Sequence, residues 1–242
     1  MAAWLNGIVA QIATHTGVQA HRKWDLCMMN QIPWGSTVDR KPDLVIVDKS
    51  FSTNNILKGN KLNWKEFHTY AEVTHLPGQY KLNKTTWQKL FAMFEAQPTR
   101  RFIPNVTFRK DHMVFIICDR AGGVHTNAIP LHSNKRRLVQ FIVGFSFGDE
   151  HLLGYDPMMK HSGGDIITAI SVNGQEYAII NRLFKSSVMR VRATQCWHVR
   201  SGDGTKYIIN DSWIDSKVGR KHIRLHHVTQ SITFRDKSSF RI

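Results

Sequence analysis

Residues 40–48 read Arg-Lys-Pro-Asp-Leu-Val-Ile-Val-Asp and carry the clearest strand signal of the chain. The apolar run follows a proline and ends in polar turn residues, which is typical of a short buried strand from Asp43 to Asp48. A second candidate strand, Tyr70 to Thr74, contains Glu72. Pairing of these two strands would bring the carboxylates of Asp43 and Glu72 together, so this pairing decides how the first half of the chain is interpreted.

Helical and strand patterns alternate through the first two thirds of the chain. Apolar residues recur at helical spacing in 4–12 and 87–94, short strand-like runs fill 102–118, and 139–147 is predicted to be helical. The predicted fold class is therefore α/β (α+β), with a mixed central sheet in a domain of residues 1–160.

The pattern changes at about residue 165. Apolar runs at 166–172 and 177–180 flank Asn173-Gly174, and Asn-Gly between such runs is the strongest short hairpin signal. Further strands are predicted at 194–199 and 206–209. We expect an antiparallel sheet in residues 165–215, followed by a basic tail in residues 216–242.

Positive charge dominates the composition. Lys and Arg number 33 against 18 for Asp and Glu, which gives a formal net charge of +15. Such a surplus favours polyanionic partners, with nucleic acid before anionic membrane, although a solvated basic surface is the alternative. DNA and RNA are not distinguished. The residues predicted to contact phosphate are Arg100, Arg101, Lys135, Arg136, Arg137, Arg190 and Arg192.

Several phrases, in order along the chain, resemble the fungal-type protein kinase family. They are Arg40-Lys41-Pro42-Asp43-Leu44-Val45, Gln97-Pro98-Thr99-Arg100-Arg101-Phe102, Asp119-Arg120-Ala121-Gly122, Leu153-Gly154-Tyr155-Asp156-Pro157, Arg192-Ala193-Thr194-Gln195-Cys196-Trp197 and Tyr207-Ile208-Ile209-Asn210-Asp211-Ser212-Trp213. In that family the last two phrases begin the kinase N-lobe. The resemblance implies that the antiparallel sheet is a partial N-lobe, whose open face a protein partner or the first domain would cover.

The kinase-like part departs from the family pattern at the ATP site. The family's glycine positions hold Val191 and Ala193, and Asn210 stands where the ATP-binding lysine is expected. These changes remove the close backbone approach and the cation that hold the phosphates. The sequence also contains no His-Arg-Asp and no Asp-Phe-Gly motif. The resemblance thus implies a non-catalytic family member or fragment that acts by binding. A kinase completed by a missing C-lobe is the alternative.

The first domain also resembles the restriction-endonuclease-like fold. In that fold Pro-Asp opens one strand, and an acid, any residue and a lysine close another; here the matching residues are Pro42-Asp43 and Glu72-Val73-Thr74. The resemblance implies that Asp43 and Glu72 bind Mg²⁺, the one cofactor considered, with Thr74 at the third catalytic position. Threonine provides no positive charge. A Mg²⁺-dependent nuclease is therefore an alternative, and a turn-capping Asp43 with an ordinary ion pair at Glu72 is another.

Cysteine usage and hydropathy limit where the protein is expected to act. The three cysteines, Cys27, Cys118 and Cys196, are far apart and fit neither a disulfide framework nor a zinc site, which indicates a reducing compartment. No apolar run reaches the ~20 residues of a membrane span. We expect an intracellular protein of the cytoplasm or nucleus. Secretion as an effector stays open, because fungal effectors also join nuclease-like and kinase-like modules.

Overall fold

The computed structural model describes residues 1–52, 62–74, 84–162, 166–186, 194–214 and 224–228. The chain divides into two compact units, residues 1–155 and 156–242. The fold class is the predicted one, since a mixed sheet with helices is followed by a separate antiparallel sheet. The domain limits drawn from the sequence, 1–160, 165–215 and 216–242, stay predictions.

The first unit combines helices with a seven-stranded sheet. Its described helices are α1 (Ala2–Thr16), α2 (Lys84–Ala96) and α3 (Lys135–Ser146), with short 3-10 helices at Trp64–Glu66 and Glu150–Leu153. Its described strands are β1 (Arg22–Asp25), β2 (Leu44–Asp48), β3 (Thr69–Thr74), β4 (Ile103–Arg109), β5 (His112–Cys118), β6 (Gly123–His125) and β7 (Ile129–Pro130).

The strand order of this sheet is β1-β2-β3-β4-β5-β6, and β7 also pairs with β5. Strands β3 and β4 are parallel, whereas the other neighbours are antiparallel. A parallel pair needs a crossover connection, and the segment that contains α2 supplies it. The sheet is therefore mixed, as predicted, with its one parallel junction among the described strands directly beside Glu72.

The two faces of this sheet pack against different helices. Ala71 belongs to an apolar cluster that also contains Leu5 of α1 and Phe141 of α3. Alternate residues of a strand point to opposite faces, so Tyr70 and Glu72 lie on the other face, where the Tyr70 hydroxyl donates to the Thr86 carbonyl of α2 at 3.1 Å. The first unit thus has three layers, and Glu72 faces α2.

The second unit contains a six-stranded antiparallel sheet in the described residues. Its strands, in the order β13-β12-β11-β10-β9-β8 across the sheet, are β8 (Met159–His161), β9 (Ile167–Val172), β10 (Gln175–Lys185), β11 (Gln195–Arg200), β12 (Lys206–Ile214) and β13 (Arg224–Val228). Asn173 and Gly174 have φ values of 51° and 80°, the backbone that a two-residue hairpin turn requires. The predicted hairpin is therefore confirmed.

A small apolar core holds this second sheet together. Ile170 of β9, Trp197 and Val199 of β11 and Ile209 of β12 are buried in one cluster. Tyr177 packs at its edge. The alternation of buried and exposed residues along β11 follows the period of two that places one face inward.

Candidate functional site

Asp43 lies just before β2, beside Glu72 of the neighbouring strand β3. Leu44 of β2 pairs with Ala71 of β3 in antiparallel register, and one step outward places Asp43 opposite Glu72. The backbone N–H of Val73 donates to Asp43 Oδ2 at 2.9 Å, which fixes the aspartate beside this strand. The negative charge of Asp43 also acts on the Glu72 carboxyl, so the two carboxylates are neighbours.

Helix α2 brings a positive charge to this pair. The ammonium group of Lys89 donates to Glu72 Oε1, and the two side chains are only 4% and 20% exposed. The same ammonium group lies 6.0 Å from the centre of the Tyr70 ring. A buried lysine requires a partner of opposite charge because its desolvation is costly. The Lys89–Glu72 ion pair is thus a built part of the site.

The pKa of Glu72 is raised above its ordinary value. Burial is the largest cause, and the nearby negative charge of Asp43 acts in the same direction. The charge and the hydrogen bond of Lys89 act against both and favour the ionised form. The electrostatics of the site therefore couple the three residues to one another.

Thr107 of β4 adds a polar group to the same face. It pairs with Glu72 in parallel register and is only 4% exposed. Within the described part of the chain its hydroxyl oxygen has no hydrogen-bond partner. An unsatisfied buried hydroxyl costs free energy, so this group is a place where a ligand oxygen or a water would be held.

Thr74, the remaining residue of the predicted nuclease-like motif, lies close to this cluster along β3. Thr74 ends β3 on the same face as Glu72, two residues further on, and pairs in register with Arg109 of β4. On the side of α2, Gln88 accepts a hydrogen bond from Nε of Arg40 at 2.7 Å. The segment that leads to Asp43 is thus hydrogen-bonded to α2 three residues before the aspartate.

The donor set fits Mg²⁺ better than a transition metal. Mg²⁺ is bound through one or two carboxylates and completes its octahedral shell with water and phosphate oxygens. Asp43 and Glu72 supply the carboxylates, and the unpartnered hydroxyl of Thr107 offers an oxygen beside them. Among the described residues no group of three or more His, Cys, Asp or Glu side chains could hold a metal.

Sequence reasoning missed Lys89. In α2 the buried residues Thr86, Lys89, Leu90 and Met93 recur at helical spacing, so the lysine lies on the apolar face of the helix. A lysine at a position that the helical period assigns to the core was the available signal. It indicates a buried ion pair, although it does not name the partner.

Arg100, predicted to contact phosphate, is instead a core residue. It is 0% exposed, and its guanidinium donates to Gln97 Oε1 at 2.9 Å, to the His68 carbonyl at 2.9 Å and to the Leu153 carbonyl. The guanidinium also stacks on the Tyr155 ring at 4.0 Å. Because the side chain is fully buried and held by these contacts, Arg100 has no face for nucleic acid.

Of the other basic residues predicted to contact phosphate, those that the structure describes are exposed. Arg101 is exposed, and so are Lys135, Arg136 and Arg137, which form the first turn of α3. No acidic residue occupies that turn. The positions of Arg190, Val191, Arg192 and Ala193 lie outside the described residues. Asn210 is half-buried on β12, where it pairs with Cys196 of β11.

A second buried polar network lies near Arg100. Nε2 of His68 is 2.8 Å from Asp48 Oδ1, and the Tyr155 hydroxyl is 3.1 Å from His68 Nδ1. Burial lowers the pKa of His68 below its ordinary value, whereas the hydrogen bond to Asp48 opposes this shift. A neutral imidazole that donates from Nε2 and accepts at Nδ1 satisfies both neighbours.

The fold and the site define an α+β protein in which a mixed sheet carries an acidic pair and a second, antiparallel sheet follows. Comparison with protein families gives a match to "Fungal protein kinase" over residues 41–232, and the chain belongs to this family. The predicted family is thereby confirmed. No curated protein and no solved structure matches the chain. Among the described helices, none is long and apolar enough to cross a membrane.

Proposed function

We propose that the first unit is a Mg²⁺-dependent nuclease whose site consists of Asp43, Glu72 and Lys89. The observation that carries this proposal is the buried Lys89–Glu72 ion pair beside Asp43. The motif in the sequence supplies only two carboxylates and, at its third position, the threonine Thr74. The ammonium group of Lys89, from α2, supplies the positive charge that Thr74 lacks.

Each residue has a distinct role in the proposed site. Asp43 and Glu72 hold the metal, which when bound polarises the phosphoryl oxygen and lowers the pKa of its water. Lys89 is a positioning residue, because it orients Glu72 and opposes the rise of the Glu72 pKa that burial and Asp43 cause. The Thr74 and Thr107 hydroxyls, on the same face as Glu72, orient water.

The charge of the chain supports nucleic acid as the substrate. The formal net charge is +15, and the exposed residues Arg101, Lys135, Arg136 and Arg137 are available to phosphate groups. Neutralisation of phosphates releases counterions, so binding through such residues weakens steeply as salt increases. Non-catalytic binding of nucleic acid, the second candidate, rests on these same residues.

In the second unit we propose a binding role in place of phosphoryl transfer. The resemblance to kinases puts Asn210 at the position of the ATP lysine, and an amide supplies no cation. Strand β10 exposes Ile180, Leu183 and Phe184, at 44%, 46% and 53%. Exposed apolar side chains of this size along one strand favour a protein partner. The competing proposal, a competent kinase completed elsewhere, requires ATP binding by this unit.

The proposed nuclease is tested with short labelled duplex and single-stranded DNA and RNA, across a salt series, with and without Mg²⁺. Asp43→Asn is the site variant, and Asp39→Asn changes an exposed aspartate just before the same strand as a matched control. Mg²⁺-dependent scission that Asp43→Asn alone abolishes supports the nuclease. Salt-sensitive binding without scission leaves the non-catalytic candidate, and no binding at low salt contradicts both.

A further inference from the structure

A second concave site lies in the first unit, apart from the acidic pair. A cavity of about 380 Å³ opens between α3 and the sheet, which is within the size range of small-molecule sites. Its wall is mostly apolar and includes Met113, Phe115, Ile129, Phe141 and Phe145. The helix α3 packs on the face opposite α2, so this cavity is independent of Asp43 and Glu72.

A glycine within α3 contributes to the wall of this cavity. Gly144 lines it, and a Cβ atom built at this position meets no atom within 4 Å. Neither a close approach nor a left-handed backbone therefore requires glycine here. A glycine inside a helix destabilises that helix relative to alanine. The absent side chain leaves space that a residue of ordinary size would fill.

One positive charge stands beside the apolar wall. Arg137 lines the cavity and is exposed. Among the described residues it takes part in no ion pair, and no acidic residue is among those that line the cavity. Gln140, one turn further along α3, adds an amide to the same rim. An apolar cavity with an exposed guanidinium at its rim is complementary to an apolar chain that ends in an anion.

We propose that this cavity binds a small amphipathic monocarboxylate of the medium-chain fatty-acid type. The hydrocarbon chain packs against Phe141 and Phe145, and the carboxylate pairs with Arg137. The preference for a carboxylate over a neutral head group comes from a charge-assisted hydrogen bond, which is stronger than a neutral one.

The proposal is tested by calorimetric titration of the full chain with decanoate and with decanol, the matched uncharged probe, below their aggregation concentrations. We expect decanoate to bind roughly tenfold more tightly than decanol. Arg137→Gln removes this preference and leaves decanol binding unchanged. Arg136→Gln, which alters the exposed neighbour, keeps it. Gly144→Leu fills the cavity and abolishes binding of both probes.

A measurement on the unaltered protein keeps the test independent of how Gly144→Leu folds. Decanoate is expected to shift the methyl NMR signals of Met113, Ile129 and Leu153, which all line the cavity. Absent or scattered shifts overturn the proposal. Decanoate binding that Gly144→Leu, folded by circular dichroism, leaves intact also overturns it, as does an equal loss of preference in Arg136→Gln.

Discussion

Lys89 of helix α2 donates a hydrogen bond to Glu72 of strand β3 across the interior of the first unit. This ion pair joins a helix to the strand that carries the acid, with the lysine 17 residues after the glutamate. In the nuclease-like motif the lysine follows the acid after one residue, where this chain has Thr74. The positive charge of the site is thus present, but it comes from another element.

Loss of Lys89 is expected to destabilise the first unit. Lys89→Met leaves Glu72 without its partner, and removal of one member of a largely buried pair costs about 2–4 kcal/mol of unfolding free energy. The double variant Lys89→Met/Glu72→Gln is expected to recover part of this loss, because the uncompensated charge is gone. Urea denaturation of the unaltered protein, Lys89→Met, Glu72→Gln and the double variant measures the coupling energy between the two side chains. Strictly additive losses of unfolding free energy would contradict a direct pair.

The titration of Glu72 should respond to each neighbour in a defined direction. Burial and Asp43 raise the Glu72 pKa, and Lys89 opposes them. Lys89→Met is therefore expected to move the Glu72 midpoint to higher pH, and Asp43→Asn to lower pH. Carbon-detected NMR of the Glu72 carboxyl measures the midpoint. If both variants shift it in the same direction, the proposed electrostatics are incorrect.

The raised pKa of Glu72 also makes the stability of the first unit depend on pH. A group whose pKa is higher in the folded than in the unfolded chain stabilises the fold at a pH below its unfolded pKa. This stabilisation is lost as the pH rises through its folded pKa. Metal binding requires the ionised Glu72 carboxylate, and loss of Lys89 raises the pKa of that carboxyl further. The acidic limb of nuclease activity should for this reason move to higher pH in Lys89→Met. A merely structural role of the lysine would lower activity at every pH without moving this limb.

His68 is expected to make the first unit sensitive to mild acid. Its pKa is lowered on folding, chiefly by burial, so the unfolded chain takes up the proton first. Stability is then lost as pH falls through the unfolded value of about 6.5. His68→Gln should show a smaller loss of melting temperature between about pH 7.5 and about pH 5.5. The control variant His132→Gln, at an exposed histidine, should behave as the unaltered protein. If the melting temperatures of all three proteins fall equally with pH, His68 is not the source of the acid sensitivity.

Arg100 and Arg101 are adjacent in sequence and are expected to behave oppositely. Arg100→Met removes three hydrogen bonds and the stacking on Tyr155, so it should cost about 3–5 kcal/mol of stability. Exposed Arg101→Met should change stability by about 0.5 kcal/mol or less and weaken binding to nucleic acid. Denaturant titrations and filter binding of both variants separate the two roles, and a stable Arg100→Met protein with weakened binding would reverse the assignment.

Local patterns were sufficient for some elements of the fold. Strand β2 was predicted from an apolar run after proline, and the turn of the β9–β10 hairpin from Asn173-Gly174, because local chemistry alone determines each. Strand β1 was not predicted. It buries Arg22, whose guanidinium donates to the carbonyls of Phe145 and Gly148 at 3.1 and 2.7 Å, and a buried arginine has no place in an apolar strand pattern.

The candidate site was predictable only in part. Asp43 and Glu72 were identified because their motif is continuous within each strand. The sequence did not single out Lys89, and it assigned Arg100 to phosphate contact. A charged side chain is assigned to the surface unless its partner is known. Their partners, Glu72 and the carbonyls of His68 and Leu153, lie far away in the sequence. Tertiary contacts decide these positions, and one sequence does not contain them as a local signal.

Paramagnetic broadening by Mn²⁺, used as a probe for Mg²⁺, tests most directly whether Asp43 and Glu72 share a metal. Titration of the isotope-labelled chain should broaden the amide signals of Leu44 and Val73 first. The effect should disappear in Asp43→Asn and persist in Asp39→Asn. Broadening that leaves these amides untouched, or that survives Asp43→Asn, would contradict a metal site at this acidic pair.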